Sequence, residues 1–280
     1  MKKRITETFP FLLPLRRAQS KLFFYTKMRF DNNTYADKIT SDFLAYKIYE
    51  AKAMLINDST GQNIEYQYNK IHNVKLAAAC LNGLLISPNQ TFSFWNSVRN
   101  ADKTIPYKSG LTVVNGRLKA EYGGGLCLLS TILFKTFLNS PLKITERHSH
   151  LCRAFPENKD AKIIGTDAAV YEGFKDLKAF NDTENTYQLK IDVGEEYLKI
   201  CLLSDKSFKF CYELKNGNVE YRREGSELFE YAPVVRTTFY KNMPINEEIL
   251  YINKVRIDYD IEAAGNKGTA QFSANYASNN

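Results

Sequence analysis

The stretch that decides the reading runs Gly123-Gly124-Gly125-Leu126-Cys127-Leu128-Leu129-Ser130-Thr131-Ile132-Leu133-Phe134-Lys135-Thr136-Phe137-Leu138. A three-glycine loop enters a segment whose single charge is Lys135, and a helix apolar on nearly every side is a buried one. Cys127 falls in its first turn, where unpaired backbone amides and the positive end of the helix dipole favour a thiolate over a thiol. Glycine lets a substrate approach the backbone closely, so the amides around Gly124, Gly125 and Cys127 are candidates to receive a developing oxyanion. Nucleophile and electrophilic stabilisation would then come from one element.

Toward the C-terminus, Pro141 turns the chain into Ile144-Thr145-Glu146-Arg147-His148-Ser149-His150-Leu151-Cys152. Read as a strand, its period of two sets Glu146, His148, His150 and Cys152 on one face and Arg147 on the other. Such a strand, returning beside the helix start, brings His148 or His150 to Cys127 as base, with Glu146 or the later Asp167 orienting the ring. The same residues permit a second chemistry: His-x-His with Cys127 or Cys152 nearby offers nitrogen and sulfur ligands suited to zinc, although no fourth ligand is fixed. Arg147 and Tyr107, if they line the same cleft, suit the terminal carboxylate of a peptide, with a surface ion pair as the alternative for Arg147. Gly123, Gly124, Gly125 and Ser130 complete the substrate-binding candidates.

Upstream, the apolar positions Phe43, Leu44, Tyr46, Ile48, Ala51 and Leu55 predict a helix from Tyr35 to about Leu55, and a second helix follows over Ile71 to Asn82. Thr91 to Trp95 reads as an aromatic strand. Leu111 to Leu118 reads as a hairpin around Asn115-Gly116, a pair that tolerates the positive φ angles of a type I′ turn. After His150 come short alternating strands, at Leu177 to Phe180, Tyr187 to Val193, Tyr197 to Leu203, Phe208 to Leu214, Val219 to Arg222, Val234 to Tyr240 and Ile249 to Tyr259. The class is therefore α+β: N-terminal helices, a central glycine loop and buried helix packed on an antiparallel sheet, and a β-rich C-terminal part. The tail from Gly265 to Asn280 reads as loosely ordered.

Charge is unevenly spread along the 280 residues. Residues 1–30 hold eight basic residues against Glu7, and the totals of 38 basic and 31 acidic leave 30 of each sign in the remainder. A neutral body argues against a nucleic-acid-binding protein. The first 30 residues read as a basic amphipathic arm with Leu15, Ala18, Leu22 and Tyr25 near one helical face, suited to an anionic membrane surface that attracts roughly 1 kcal/mol per basic residue. The alternative is that Phe9, Leu12, Leu13, Phe23 and Phe24 dock on the core while the cations stay solvated.

Five cysteines at irregular spacing indicate a reducing compartment, with Cys80, Cys201 and Cys211 read as inert core residues. The apolar run near the start is short, carries two prolines and is followed by arginines, unlike a secretory signal. No run approaches the roughly 18 apolar residues of a membrane span. The expected location is cytoplasmic, with peripheral attachment at the inner leaflet through the arm. No CxxC pair, phosphate loop or dinucleotide fingerprint is present, so no cofactor is implied.

Thr91-Phe92-Ser93-Phe94, Val114-Asn115-Gly116, Gly123 to Cys127, Glu146-Arg147-His148-Ser149-His150 and Asp167-Ala168-Ala169-Val170 together resemble the VanW family. The opening from Phe9-Pro10-Phe11-Leu12-Leu13-Pro14 to Met28-Arg29-Phe30 resembles its stand-alone members, which accompany glycopeptide-resistance gene clusters. The resemblance covers about residues 1–205, which divides the chain into an arm (1–30), a VanW-like core (31–205) and a β-rich extension (206–280). It implies an accessory role in glycopeptide resistance or cell-wall metabolism. VanW domains in some cell-wall proteins are linked to L,D-transpeptidation through the matching cysteine, which makes Cys127 the candidate acyl acceptor and a peptidoglycan stem peptide or its precursor the candidate substrate. The family motif usually has glutamine after the cysteine and this chain has Leu128, a departure that keeps open a non-catalytic module binding a precursor or a protein.

Overall fold

The computed structural model describes residues 10–56, 64–114, 117–153 and 163–259. The chain begins with helix α1 (Leu13–Phe30) and passes through strands β1 (Thr34–Tyr35) and β2 (Tyr46–Met54) to helix α2 (Ile64–Leu81). Then follow β3 (Leu85–Ile86), β4 (Gln90–Ser93), the short α3 (Phe94–Val98), and the hairpin β5 (Ser109–Val114) and β6 (Arg117–Tyr122). Helix α4 (Leu126–Leu138) leads to β7 (Lys143–Glu146), β8 (Cys152–Arg153), β9 (Lys178–Phe180), β10 (Tyr187–Val193) and β11 (Tyr197–Ser204). The C-terminal strands are β12 (Phe210–Asn216), β13 (Glu220–Glu224), β14 (Glu227–Tyr240) and β15 (Met243–Ile257).

The strands build three larger sheets, in the orders β1-β4-β9-β7, β2-β11-β10-β3 and β12-β14-β15-β8, with β13 on the far half of β14 and β5-β6 standing apart as a hairpin. Pairing is antiparallel except for β1 with β4 and β15 with β8. The α+β class read from the sequence is the class observed, β-rich toward the C-terminus. The core gathers Leu81 from α2, Phe92 and Phe94, the inner face of α4 at Leu129, Leu133 and Phe137, and alternate residues of β10 and β11. Buried apolar area of this kind is the main stabilising contribution.

Two early elements differ from their sequence reading. The segment expected as a helix to Leu55 is strand β2, antiparallel to β11 through eight paired positions. Its odd positions Tyr49, Ala51 and Ala53 turn inward, as does Leu55 just beyond its end, a period of two that the helical reading overlooked. The aromatic strand stops at Ser93, whose hydroxyl accepts from the Asn96 amide at 3.1 Å and caps α3, so Trp95 is helical. Buried Asp176 secures this junction by accepting from Ser93 Oγ at 2.6 Å and from the Trp95 amide at 3.1 Å. Burial, with repulsion from Glu146, raises its pKa to about 6.

The hairpin forms as expected, with Val114 paired to Arg117; Asn115, Gly116 and the tail from Gly265 onward lie outside the described residues. Among the described residues no helix is long and apolar enough to cross a membrane. The arm is not a free appendage: buried Met28 and half-buried Phe24 anchor α1, while Leu13 and Phe23 are exposed and Phe9 lies outside the described residues. The C-terminal sheet takes in β8 from the core, and Tyr251 packs against the main apolar cluster.

Candidate active site

The approach to Cys127 is built from a tight crossing of backbones. Gly124 lies so close to Gly110 of β5 that a Cβ on either would overlap the other's backbone. Asn73, fully buried on α2, ties the crossing together: it donates to the carbonyl oxygens of Lys108 (2.8 Å) and Gly124 (2.9 Å) and accepts from the Lys108 amide (2.8 Å). Gly125 follows at φ 108°, in the left-handed region that glycine enters without penalty, and α4 starts from it. The amide of Gly124 donates to Glu121 O at 3.0 Å, and that of Leu128 to Gly125 O at 2.9 Å. The amides of Gly125, Leu126 and Cys127 have no acceptor among the described residues.

Cys127 lines a cleft of about 460 Å³ together with Trp95, Tyr107, Tyr122, Tyr171 and Glu172. Its thiol donates to Val170 O at 3.5 Å. The Asp167-to-Val170 segment is fixed to α4 by Ser130 Oγ, which donates to Ala168 O at 2.7 Å, and by Thr131 Oγ1, which accepts from the Ala168 amide at 3.1 Å. Tyr107 is buried on the cleft wall, and its hydroxyl has no hydrogen-bond partner among the described residues.

His150 donates Nδ1–H to Asp167 Oδ2 at 2.6 Å, and its backbone amide donates to the same oxygen at 2.8 Å. Nε2 is the ring nitrogen left free of Asp167, and Cys127 is near enough to act on the ring's charge. Burial alone would lower the His150 pKa; hydrogen bonds and charge from Asp167 and Cys127 outweigh it and raise the value to about 9. Burial also opposes ionisation of Asp167, but His150 and Arg147 overcome it and hold the carboxyl at about 2. The arrangement has the parts of a Cys-His-Asp triad, with a protonated ring and an ionised acid at neutral pH.

Behind the acid, Arg147 spends its whole guanidinium inward. Nη2 donates to Asp167 Oδ1 (2.7 Å) and Gly165 O (3.0 Å), Nε to Asp167 O (2.7 Å), and Nη1 to Asn253 Oδ1 (2.9 Å). The same group lies over the rings of Phe134 and Tyr251, 5.3 and 5.1 Å from their centroids. Tyr251 Oη donates to Gly165 O at 3.0 Å, and Asn216 holds Ile164 through both its amide and its carbonyl. The loop that carries Asp167 is thus gripped by β12 and β15.

The family profile described as VanW like protein matches residues 69–203. The chain is 45% identical over 262 residues to the vancomycin B-type resistance protein VanW of Enterococcus faecalis, an overlap of 93% of this chain and 95% of that protein. The chain belongs to the VanW family. A second relative, the uncharacterized protein YoaR of Bacillus subtilis, is 30% identical over 132 residues, 45% of this chain and 41% of the relative. No solved structure matches.

Within this VanW chain the structure brings Cys127, His150 and Asp167 together and separates other candidates from them. The expected strand from Ile144 to Cys152 is regular at Lys143–Glu146 and resumes only at Cys152, in β8; the pairing of β7 with β9 shifts between Ile144 and Glu146. The irregular path beyond breaks the period of two, which is why Arg147 turns into the interior and the two histidines diverge. His148 Nε2 meets Glu146 Oε1 at 3.1 Å, and Glu146 also holds Lys178 (3.2 Å) and the Asp176 amide (3.0 Å). Burial resists ionisation of Glu146, but His148 and Lys178 keep its carboxyl below the ordinary range. Glu146 therefore orients His148 and not His150.

Arg147 is a correction: committed to Asp167, Gly165 and Asn253, it has no fork left for a substrate carboxylate. Ser130 is another, fully buried and bonded to Ala168 O and Cys127 O. The zinc alternative loses its ligand set because the histidines face different carboxylates, and among the described residues no group of three or more His, Cys, Asp or Glu is placed to hold a metal. Gly123, Gly124 and Gly125 line the cleft; close contacts with Gly110 and Lys70 also call for glycine at Gly124 and Gly125, and the Gly124 amide is committed to Glu121 O. Cys211 is exposed instead of being in the core, whereas Cys201 is buried.

Sequence reasoning missed Asn73, Asn253, Tyr251 and Glu172. Asn73 left a signal, as a polar residue amid the apolar face of Ile71, Val74, Ala77 and Ala78. The others come from distant segments and left none.

Proposed function

We propose that this VanW chain is a cysteine-dependent acyl-transfer enzyme acting on a peptidoglycan stem peptide or its precursor, in support of glycopeptide resistance or cell-wall metabolism. The observation that carries the reading is the cleft-lining Cys127 at a helix start, beside a histidine whose Nδ1 is fixed by an ionised aspartate. With His150 protonated and Cys127 ionised, Sγ attacks the acyl carbonyl carbon, and the C–O π electrons move onto oxygen. The unpaired amides of Leu126 and Cys127 steady that oxyanion. Collapse re-forms the carbonyl and breaks the C–N bond, and His150 Nε2–H gives its proton to the departing amine. An acceptor amine then gives a proton to His150, adds to the thioester and releases the thiolate, or water does the same and the outcome is hydrolysis.

A non-catalytic module that binds a precursor or a protein in the same cleft is the second reading. Leu128 favours it, because its apolar side chain packs against the core where the family motif offers an amide.

The deciding experiment is the pH dependence of iodoacetamide alkylation at Cys127, read by mass spectrometry. The triad predicts alkylation of the folded protein, with a pH profile that moves up in His150→Ala and stays in place in His148→Ala. A thiol that stays unlabelled until the protein unfolds overturns the enzyme reading and leaves the binding module.

A further inference from the structure

The two long sides of α1 do different work. One side faces the body: Met28 is buried, Tyr25 Oη donates to Glu172 Oε1 at 2.9 Å, Lys21 pairs with Glu172, and Arg17 and Lys21 line the cleft. At 100° per residue, Leu15, Leu22, Phe23 and Phe30 fall on the other side. Leu15, Leu22, Phe23 and Phe30 are each 69 to 78% exposed.

This apolar stripe does not end with the helix. Leu22 and Phe23 share a shallow groove with Phe174, itself exposed, and Phe174 stacks on Tyr171 with ring centroids 5.2 Å apart. Tyr171 in turn lines the cleft that holds Cys127. Large apolar side chains thus follow one another from α1 to the cleft rim, with Gln19, Ser20 and Thr26 interspersed in the groove. Lone exposed apolar residues need no explanation, but a contiguous set of large ones marks an interaction site.

The charge pattern selects the partner. Helix α1 carries Arg16, Arg17, Lys21, Lys27 and Arg29 and no acidic residue, with Lys27 and Arg29 on the flanks of the apolar stripe. A second copy seated on this face would set like charges against like. An anionic surface with an apolar interior satisfies both features, as for helices that lie in the plane of a membrane interface.

We propose that the outer face of α1, continued by Phe174, docks on an anionic lipid bilayer with Leu15, Leu22, Phe23 and Phe30 inserted among the acyl chains. The cleft mouth then opens at the bilayer surface. Resting on the acyl-transfer reading, this selects peptides carried on a membrane-embedded anchor over freely diffusing ones.

The test is co-sedimentation of the full chain with vesicles of phosphatidylglycerol and phosphatidylcholine, and with phosphatidylcholine alone. Partition into the anionic vesicles is expected, with at least a tenfold loss in the Leu22→Ser/Phe23→Ser double variant and in Lys27→Glu/Arg29→Glu, and a steep decline with added salt. All four positions are exposed, and circular dichroism of the variants checks that each stays folded. Wild type left in the supernatant, or a double variant that binds as well as wild type, overturns the proposal. Concentration-dependent dimers in analytical ultracentrifugation that Phe23→Ser abolishes assign the face to a second copy and also overturn it. Binding is read without turnover, so failure here leaves the triad untouched, and a failed alkylation test leaves the membrane face standing.

Discussion

Helix α1 and strand β15 both reach the site from outside the matched stretch 69–203, and they hold it by different physics. Helix α1 meets the cleft rim through the exposed Lys21 and the half-buried Tyr25, both on the single carboxylate Glu172. Strand β15 sends Asn253 and Tyr251 to Arg147 and Gly165, where the guanidinium is largely enclosed and bonded by all three nitrogens. Exposed ion pairs yield little because water competes for both partners. Enclosed charge networks punish the loss of any member, since what remains is an uncompensated charge. The C-terminal sheet is thus a brace for the acid, and α1 a lightly attached wall.

The largest effect that would break this contrast is on Arg147. Arg147→Met strands the Asp167 carboxylate and is expected to cost about 3 kcal/mol in urea unfolding; a loss below about 1 kcal/mol would show that the network is not a brace. Asn253→Ala removes one charged hydrogen bond and should cost about 2 kcal/mol. It should also shift the His150 pKa measured by NMR, which a purely structural contact far from the acid would leave unmoved.

A smaller effect is the pH dependence of stability. The folded-state pKa of His150, about 9, lies above its ordinary 6.5, so its contribution is full below 6.5 and is lost as pH rises through 9. That of Asp167, about 2, lies below its ordinary 3.8, so its contribution is full above 3.8 and is lost as pH falls through 2. Wild type should therefore lose more stability than His150→Gln between pH 6.5 and 9.5, read as a difference in urea midpoints. The smallest effect belongs to the other end of the chain: Lys21→Ala should cost less than about 1 kcal/mol.

Local pattern made much of this legible in the sequence. Strand β10 falls where the alternation of Tyr187 to Val193 puts it, the buried α4 is written in an unbroken apolar run, and Cys127 sits at its start. Where pattern is ambiguous the reading failed, as in β2, whose alanines satisfy either period. The segment from Arg147 to Leu151 was misread because its path is set by Asp167, Gly165 and Asn253, up to 106 residues away. That His150 meets Asp167 while His148 meets Glu146 is set by the same long-range packing.

The crossing of Gly110 and Gly124 has a mechanical consequence. With only hydrogens between the two backbones, and with Asn73 bonded across them, the β5–β6 hairpin and the start of α4 cannot slide or hinge past one another. They form one rigid jaw of the cleft, and Cys127 rides on it. Any widening needed to admit a bulky chain is left to the opposite side of the cleft, where α1 meets the rim through Lys21 and Tyr25 on Glu172.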